Sequence, residues 1–166
     1  IYKLFHTINV RGVVMEKVKI YIKSIFIPVI LGGVIEIIIG PFIDYNLLEK
    51  PFLSPPSIVF PIVWTILYIL MGLSYGILKS KQLTDFEIDK IYYIQLIVNG
   101  LWSIFFFVAK WRLFSFVWII ILIVFIISMI LKFYRKNKTA GLLQIPYLLW
   151  TLFASYLNIA TYLLNK

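Results

Sequence analysis

Five long apolar runs, separated by short polar stretches, set the pattern of this chain. They cover about Ile25–Phe42, Ile58–Leu78, Ile91–Ala109, Leu113–Leu131 and Ala140–Leu164. Each is close to the ~20 residues that cross ~30 Å of hydrocarbon at ~1.5 Å per residue. The runs are continuous rather than alternating, which excludes barrel strands and leaves helices as the only spanning element. The pattern therefore predicts an all-α membrane protein, a five-transmembrane-helix bundle formed by residues 25–166. Residues 1–24 read as an N-terminal arm that mixes Lys3, Arg11, Lys17, Lys19 and Lys23 with apolar residues. Within the arm, Met15-Glu16-Lys17 reads as a start, so residues 1–14 are expected to be an upstream extension. The links Lys79–Lys90, Lys110–Arg112 and Lys132–Thr139 are short, so sequential helices are expected to be antiparallel neighbours.

Polar and aromatic residues within the runs mark the inward faces. In the third run Gln95, Asn99, Trp102 and Phe106 follow one another at helical spacing. Two side-chain amides are costly in lipid, so this stripe is expected to face the bundle. Tyr147, Trp150, Ala154 and Leu157 or Asn158 form a similar stripe in the fifth run, and Trp64, Tyr68 and Gly72 one in the second. The fourth run has only Ser115 and Ser128 as polar punctuation and reads as a lipid-facing scaffold. Glu36 is the one acid at membrane depth in the first run. Such an acid is a functional candidate by default, although its place near the end of the run also lets it reach the interface. Ahead of the second run, Lys50-Pro51 and Pro55-Pro56 stiffen a loop, because each proline fixes its own φ and restricts the residue before it. Inward aromatics serve packing as readily as ligand contact. Three such faces beneath a rigid loop nevertheless suit a concave aromatic cavity for a flat apolar molecule.

Composition strengthens the membrane reading. Of 166 residues 62% are hydrophobic, and the mean hydropathy is +0.97, more apolar than soluble domains of this size. The chain has no cysteine, which removes disulfides, thiolate metal sites and cysteine nucleophiles. Its net charge of +9 does not point to nucleic acid, since the basic residues lie beside the membrane runs. The arm, Lys79, Lys81, Lys90, Lys132, Arg135, Lys136 and Lys138 fall on one side, and Lys50, Lys110, Arg112 and Lys166 on the other. The positive-inside rule then predicts a cytoplasmic N-terminus, an outside C-terminus and the proline loop on the outer face. No nucleophile, metal-ligand cluster or acid–base pair stands out, and the lone His6 lies in the arm.

Four ordered motifs give the chain a family resemblance. They are L-x-K-P-x-x-x-P-P at Leu48–Pro56, F-P-x-V-W-x-x-L-Y-x-x-M-G at Phe60–Gly72, Q-x-x-x-N-x-x-W-S from Gln95 and running on to Phe106, and P-Y-L-x-W-x-x-F-A-x-x-L-N at Pro146–Asn158. With five spans, this order resembles the TspO/MBR family of tryptophan-rich sensory proteins and mitochondrial translocator proteins, also called peripheral benzodiazepine receptors. The resemblance implies a five-helix bundle, usually a homodimer in membrane lipid, that binds porphyrin, haem or other flat hydrophobic molecules as ligands and requires no cofactor. Carried over by position, it places Tyr45 and Pro55 in the loop, Trp64 and Tyr68 on the second span, Asn99 and Trp102 on the third, and Trp150 and Ala154 on the fifth as ligand-binding residues. Periodicity adds Phe106 and Leu157. The resemblance also implies two alternatives: a light-dependent porphyrin-degrading enzyme, with Trp64 and Trp150 as the reacting residues, and a translocator of porphyrin or sterol-like lipids. Leu157, Tyr162 and Lys166 satisfy the loose cholesterol pattern of mitochondrial members. Asp44 and Leu53 stand where the family commonly has tryptophan.

Overall fold

The computed structural model describes residues 2–44 and 47–166, with side chains from Gly12 onward. Its elements are α1 (Tyr2–Ile39) with a closing 3-10 turn (Gly40–Phe42), α2 (Val59–Ser80), α3 (Phe86–Ser103) running into a π-helical turn (Ile104–Val108), α4 (Arg112–Lys136), the short α5 (Lys138–Leu142), and α6 (Ile145–Leu164). Among the described residues five stretches are long and apolar enough to cross a membrane: Gly12–Phe42, Val59–Ser80, Phe86–Val108, Arg112–Lys136 and Lys138–Leu164. The expected five-helix membrane bundle is what forms. The first helix begins far upstream of Ile25, so the arm is continuous with the span.

Local chemistry sets the helix ends. Pro61 and Pro146 lie in the first turns of α2 and α6, where a missing N–H costs nothing. Asp85 caps α3, accepting from the Ile88 amide at 3.0 Å. Asn137 caps α5, accepting from the Ala140 amide at 3.1 Å. The Asp85 carboxylate also pairs with Lys136 at 2.8 Å, and this contact, with the cap, holds its pKa below the usual carboxylate range. Glu87 pairs with Lys132 at 2.7 Å, so the start of α3 and the end of α4 are joined by two ion pairs.

α1 lies against both α2 and α3, α3 against α4, and α4 against α6. Sequential α2 and α3 are the exception to the expected neighbour packing. Their backbones stay apart and large rings bridge them: Tyr75 stacks on Tyr92 with centroids 4.1 Å apart, and Trp64 lies 6.4 Å from Trp102. The reason is the tight seat of α2 on α1. A Cβ at Gly72 would collide with Ile25 Cα and lie 2.6 Å from the Ser24 carbonyl oxygen, and one at Gly76 would lie 2.8 Å from the Tyr21 ring. Gly72 and Gly76 are one turn apart, a small-xxx-small seam that lets two membrane helices approach closely.

α4 behaves largely as the scaffold expected. Ser115, Ile119, Leu122, Ile126, Met129 and Phe133 are buried against the bundle, while Val117, Ile120, Val124 and Leu131 are exposed on the opposite side.

Gly72→Ala is expected to lower stability by about 1–3 kcal/mol, because the new methyl meets backbone that cannot yield. Gly33→Ala, where a Cβ meets nothing within 4 Å, is expected to be neutral or slightly stabilising. Thermal unfolding of the two variants in one detergent tests the contrast.

Candidate functional site

The two ends of the bundle are built differently. At the end where α1 and α3 begin their spans and α2 and α4 finish theirs, Tyr75, Tyr92 and Phe133 are all buried in one aromatic pile. The Tyr75 hydroxyl donates to Asp89 at 2.7 Å. This end is closed. At the other end, beneath the loop between α1 and α2, a cavity of about 330 Å³ opens within the bundle. That volume lies at the lower end of the range for small-molecule sites.

Trp64 is the centre of the cavity wall. Its ring lies 5.6 Å from Tyr68, 6.4 Å from Trp102 and 6.2 Å from Tyr147. Tyr68 occupies space that α1 leaves open, since a Cβ on Gly32 would clash with its ring. Beyond Trp102 the helix widens: Ala109 N–H bonds to Ile104 O at 3.0 Å, five residues back. That extra residue in the turn brings Phe107 as well as Phe106 to the cavity. Ala154 and Leu157 supply the α6 wall.

A polar knot holds this wall. Trp102 Nε1 donates to Asn158 Oδ1 at 3.1 Å, Ser115 Oγ donates to the same oxygen at 3.1 Å, and Asn158 Nδ2 donates to Arg112 O at 2.7 Å. One side chain of α6 thereby fixes the ring of Trp102 and the start of α4. Deeper in, Asn99 Nδ2 donates to the Tyr147 hydroxyl at 2.8 Å, and that hydroxyl donates to Gln95 Oε1 at 3.0 Å. All three residues are buried.

The sequence-predicted residues therefore divide. Trp64, Tyr68, Trp102, Phe106, Ala154 and Leu157 converge on the cavity. Asn99 does not line it; its Nδ2 donates instead to the Tyr147 hydroxyl deeper in the bundle. Trp150 lies off the cavity, against Phe60 and Phe153 at 6.0 and 5.5 Å. Pro55 belongs to the loop but not to the lining. Tyr45 lies outside the described residues. Val29, Gly32, Gly33, Glu36, Ile39 and Ile43 all line the cavity. Glu36, singled out by its charge, is one of them, but sequence reasoning missed the rest of the α1 wall. The spacing of three and four among these residues was the available signal.

The loop is fastened from below. Asn165 grips Glu49, accepting from its amide at 2.9 Å and donating to its carbonyl at 3.0 Å. Tyr156 donates to Phe52 O at 2.7 Å. Asp44 pairs with Lys110 at 3.1 Å and Arg112 at 3.0 Å, reaching the turn between α3 and α4. Lys110 holds this turn at a φ of 57°, and Leu53 turns the loop at a φ of 70°.

These features define an integral, multi-pass membrane protein with an aromatic cavity under one loop. A model of the TspO/MBR family matches residues 24–163, and the chain belongs to that family. It is 40% identical to the tryptophan-rich protein TspO of Chlorobaculum tepidum over 73% of this chain and 78% of that one. It is 43% identical to the tryptophan-rich protein TspO of Archaeoglobus fulgidus, over 73% and 79%. With the tryptophan-rich sensory protein of Cereibacter sphaeroides the identity is 34%, over 73% and 76%.

Asp44→Asn is expected to loosen the loop without unfolding the bundle. Amide exchange over residues 47–54 should rise, while that of α3 and α4 should stay unchanged in hydrogen-exchange mass spectrometry.

Proposed function

We propose that the protein captures a flat, hydrophobic small molecule of the tetrapyrrole class in this cavity, in a sensing or carrier role. The observation that carries the reading is the cluster of Trp64, Tyr68, Trp102 and Phe106 around one cavity beneath a fastened loop. Aromatic faces provide large apolar contact and stacking geometry for a planar ring. The family relationship supports the same ligand class. With the N-terminus cytoplasmic, as the distribution of Lys and Arg favours, the loop and cavity face the outer side. Ligand then reaches the cavity from that side or from the outer leaflet.

Trp64 and Trp102 carry the contact, and Trp150 supports the wall from behind. Trp64→Ala is expected to weaken tetrapyrrole binding by about 2 kcal/mol or more, in line with loss of a buried aromatic anchor. Trp150→Ala is expected to leave binding within a few-fold. Titration of the purified variants with protoporphyrin, followed by tryptophan quenching, tests both. Equal losses would move the site toward Trp150, and no loss in either would place it elsewhere.

A further inference from the structure

The α1 wall carries a charge that the aromatic reading does not use. Gly32 and Glu36 are four residues apart, so they share one face of α1. Gly32 meets the Tyr68 ring directly, which turns that face toward α2 and puts Glu36 one helical turn further along the same wall. Glu36 lies six residues before the end of the first membrane stretch at Phe42, roughly 9 Å below it along the helix. The other charged lining residues, Glu49 and Lys50, belong to the loop above.

Asp44, Asp85, Glu87 and Asp89 each have a side-chain partner: Lys110 with Arg112, Lys136, Lys132 and Tyr75 in turn. Among the described residues Glu36 has neither a hydrogen bond nor an ion pair, and its side chain is exposed rather than packed. A carboxylate at membrane depth is expensive to keep there unpaired, and it gains most from a cation delivered with its own apolar body. No group of three His, Asp or Glu among the described residues is placed to hold a metal ion, so a lone carboxylate beside aromatic faces suits an organic cation better. The faces of Trp64 and Tyr68 favour the same charge sign, because the ring quadrupole attracts ammonium groups.

We propose that Glu36 makes the cavity a site for cationic amphiphiles, in which a planar apolar body lies against Trp64 and Tyr68 and a protonated amine pairs with the Glu36 carboxylate. This rests on the reading of the cavity as the ligand site and adds the charge of the ligand to it. Three probes with one ring system separate the two claims: protoporphyrin dimethyl ester, which has no side-chain charge, protoporphyrin with its two propionates, and the bis-amide of protoporphyrin with ethylenediamine, which carries two ammonium groups. Binding is read by tryptophan quenching of the purified full chain in a neutral detergent at neutral pH.

The wild-type protein is expected to bind the ammonium probe roughly tenfold or more tighter than the diester, and the propionate form no tighter than the diester. Glu36→Gln should bring the ammonium probe down to the affinity of the diester, and far-UV circular dichroism matching that of the wild type reports that the variant is folded. Diester binding with no ammonium preference, or a preference that survives Glu36→Gln, overturns the role of Glu36 alone. Failure of all three probes overturns the cavity reading, and this inference with it.

Discussion

Close approach of α1 and α2 is the constraint on which the rest of the structure depends. Gly72 and Gly76 give up side chains so that the α1 backbone at Ser24 and Ile25 can lie on α2. In a membrane this contact gains little from hydrophobicity, since lipid is as apolar as leucine, and it relies on fit between surfaces. Once α2 is held there, Tyr68 falls into the space that Gly32 leaves, and Trp64 projects toward α3 and α6. The distance that remains between α2 and its other neighbours is bridged by rings. At one end those rings close on each other, and at the other they leave room.

The polar groups divide the labour along the same line. Asn99, Tyr147 and Gln95 join α3 to α6 in the middle of the bundle through the Tyr147 hydroxyl. Asn158 does the same beside the cavity and holds a tryptophan in place as it does so. The loop is joined to the helices by Asp44, Tyr156 and Asn165. Asp44 stands where the family commonly has an aromatic residue. Here it is an ionic fastening between the loop and the α3–α4 turn, so this chain holds its loop by charge at that position.

Much of this was legible in the sequence. Five apolar runs gave five spans because backbone desolvation leaves no alternative to helices in lipid. The stripes of α2 and α3 found Trp64, Tyr68, Trp102 and Phe106 because amides and aromatics at helical spacing mark an inward face. At Asn99 and Trp150 the same logic named residues that do not line the cavity. Periodicity says which face a residue occupies, but not whether a neighbour has already taken its hydrogen bond or whether another ring stands in front of it. Beyond Glu36, which its charge marked as a candidate, the α1 wall went unread because its signal is mostly absence: two glycines and a few aliphatic residues. The π-helical turn was invisible for a related reason, since IFFFV reads as ordinary helix and only the bond from Ala109 to Ile104 shows the added residue.

The pile of Tyr75, Tyr92 and Phe133 fills the end of the bundle opposite the cavity, and none of the three lines it. Its rings are stacked 4.1 Å apart and the Tyr75 hydroxyl is held by Asp89, so that end is packed shut. The space is a cup, walled off from the opposite end of the bundle. Any passage from one leaflet's side to the other has to dismantle part of the best-buried region of the bundle, so traffic through the centre would run at the rate of core opening and not of diffusion. Exchange at the mouth needs only the loop to yield.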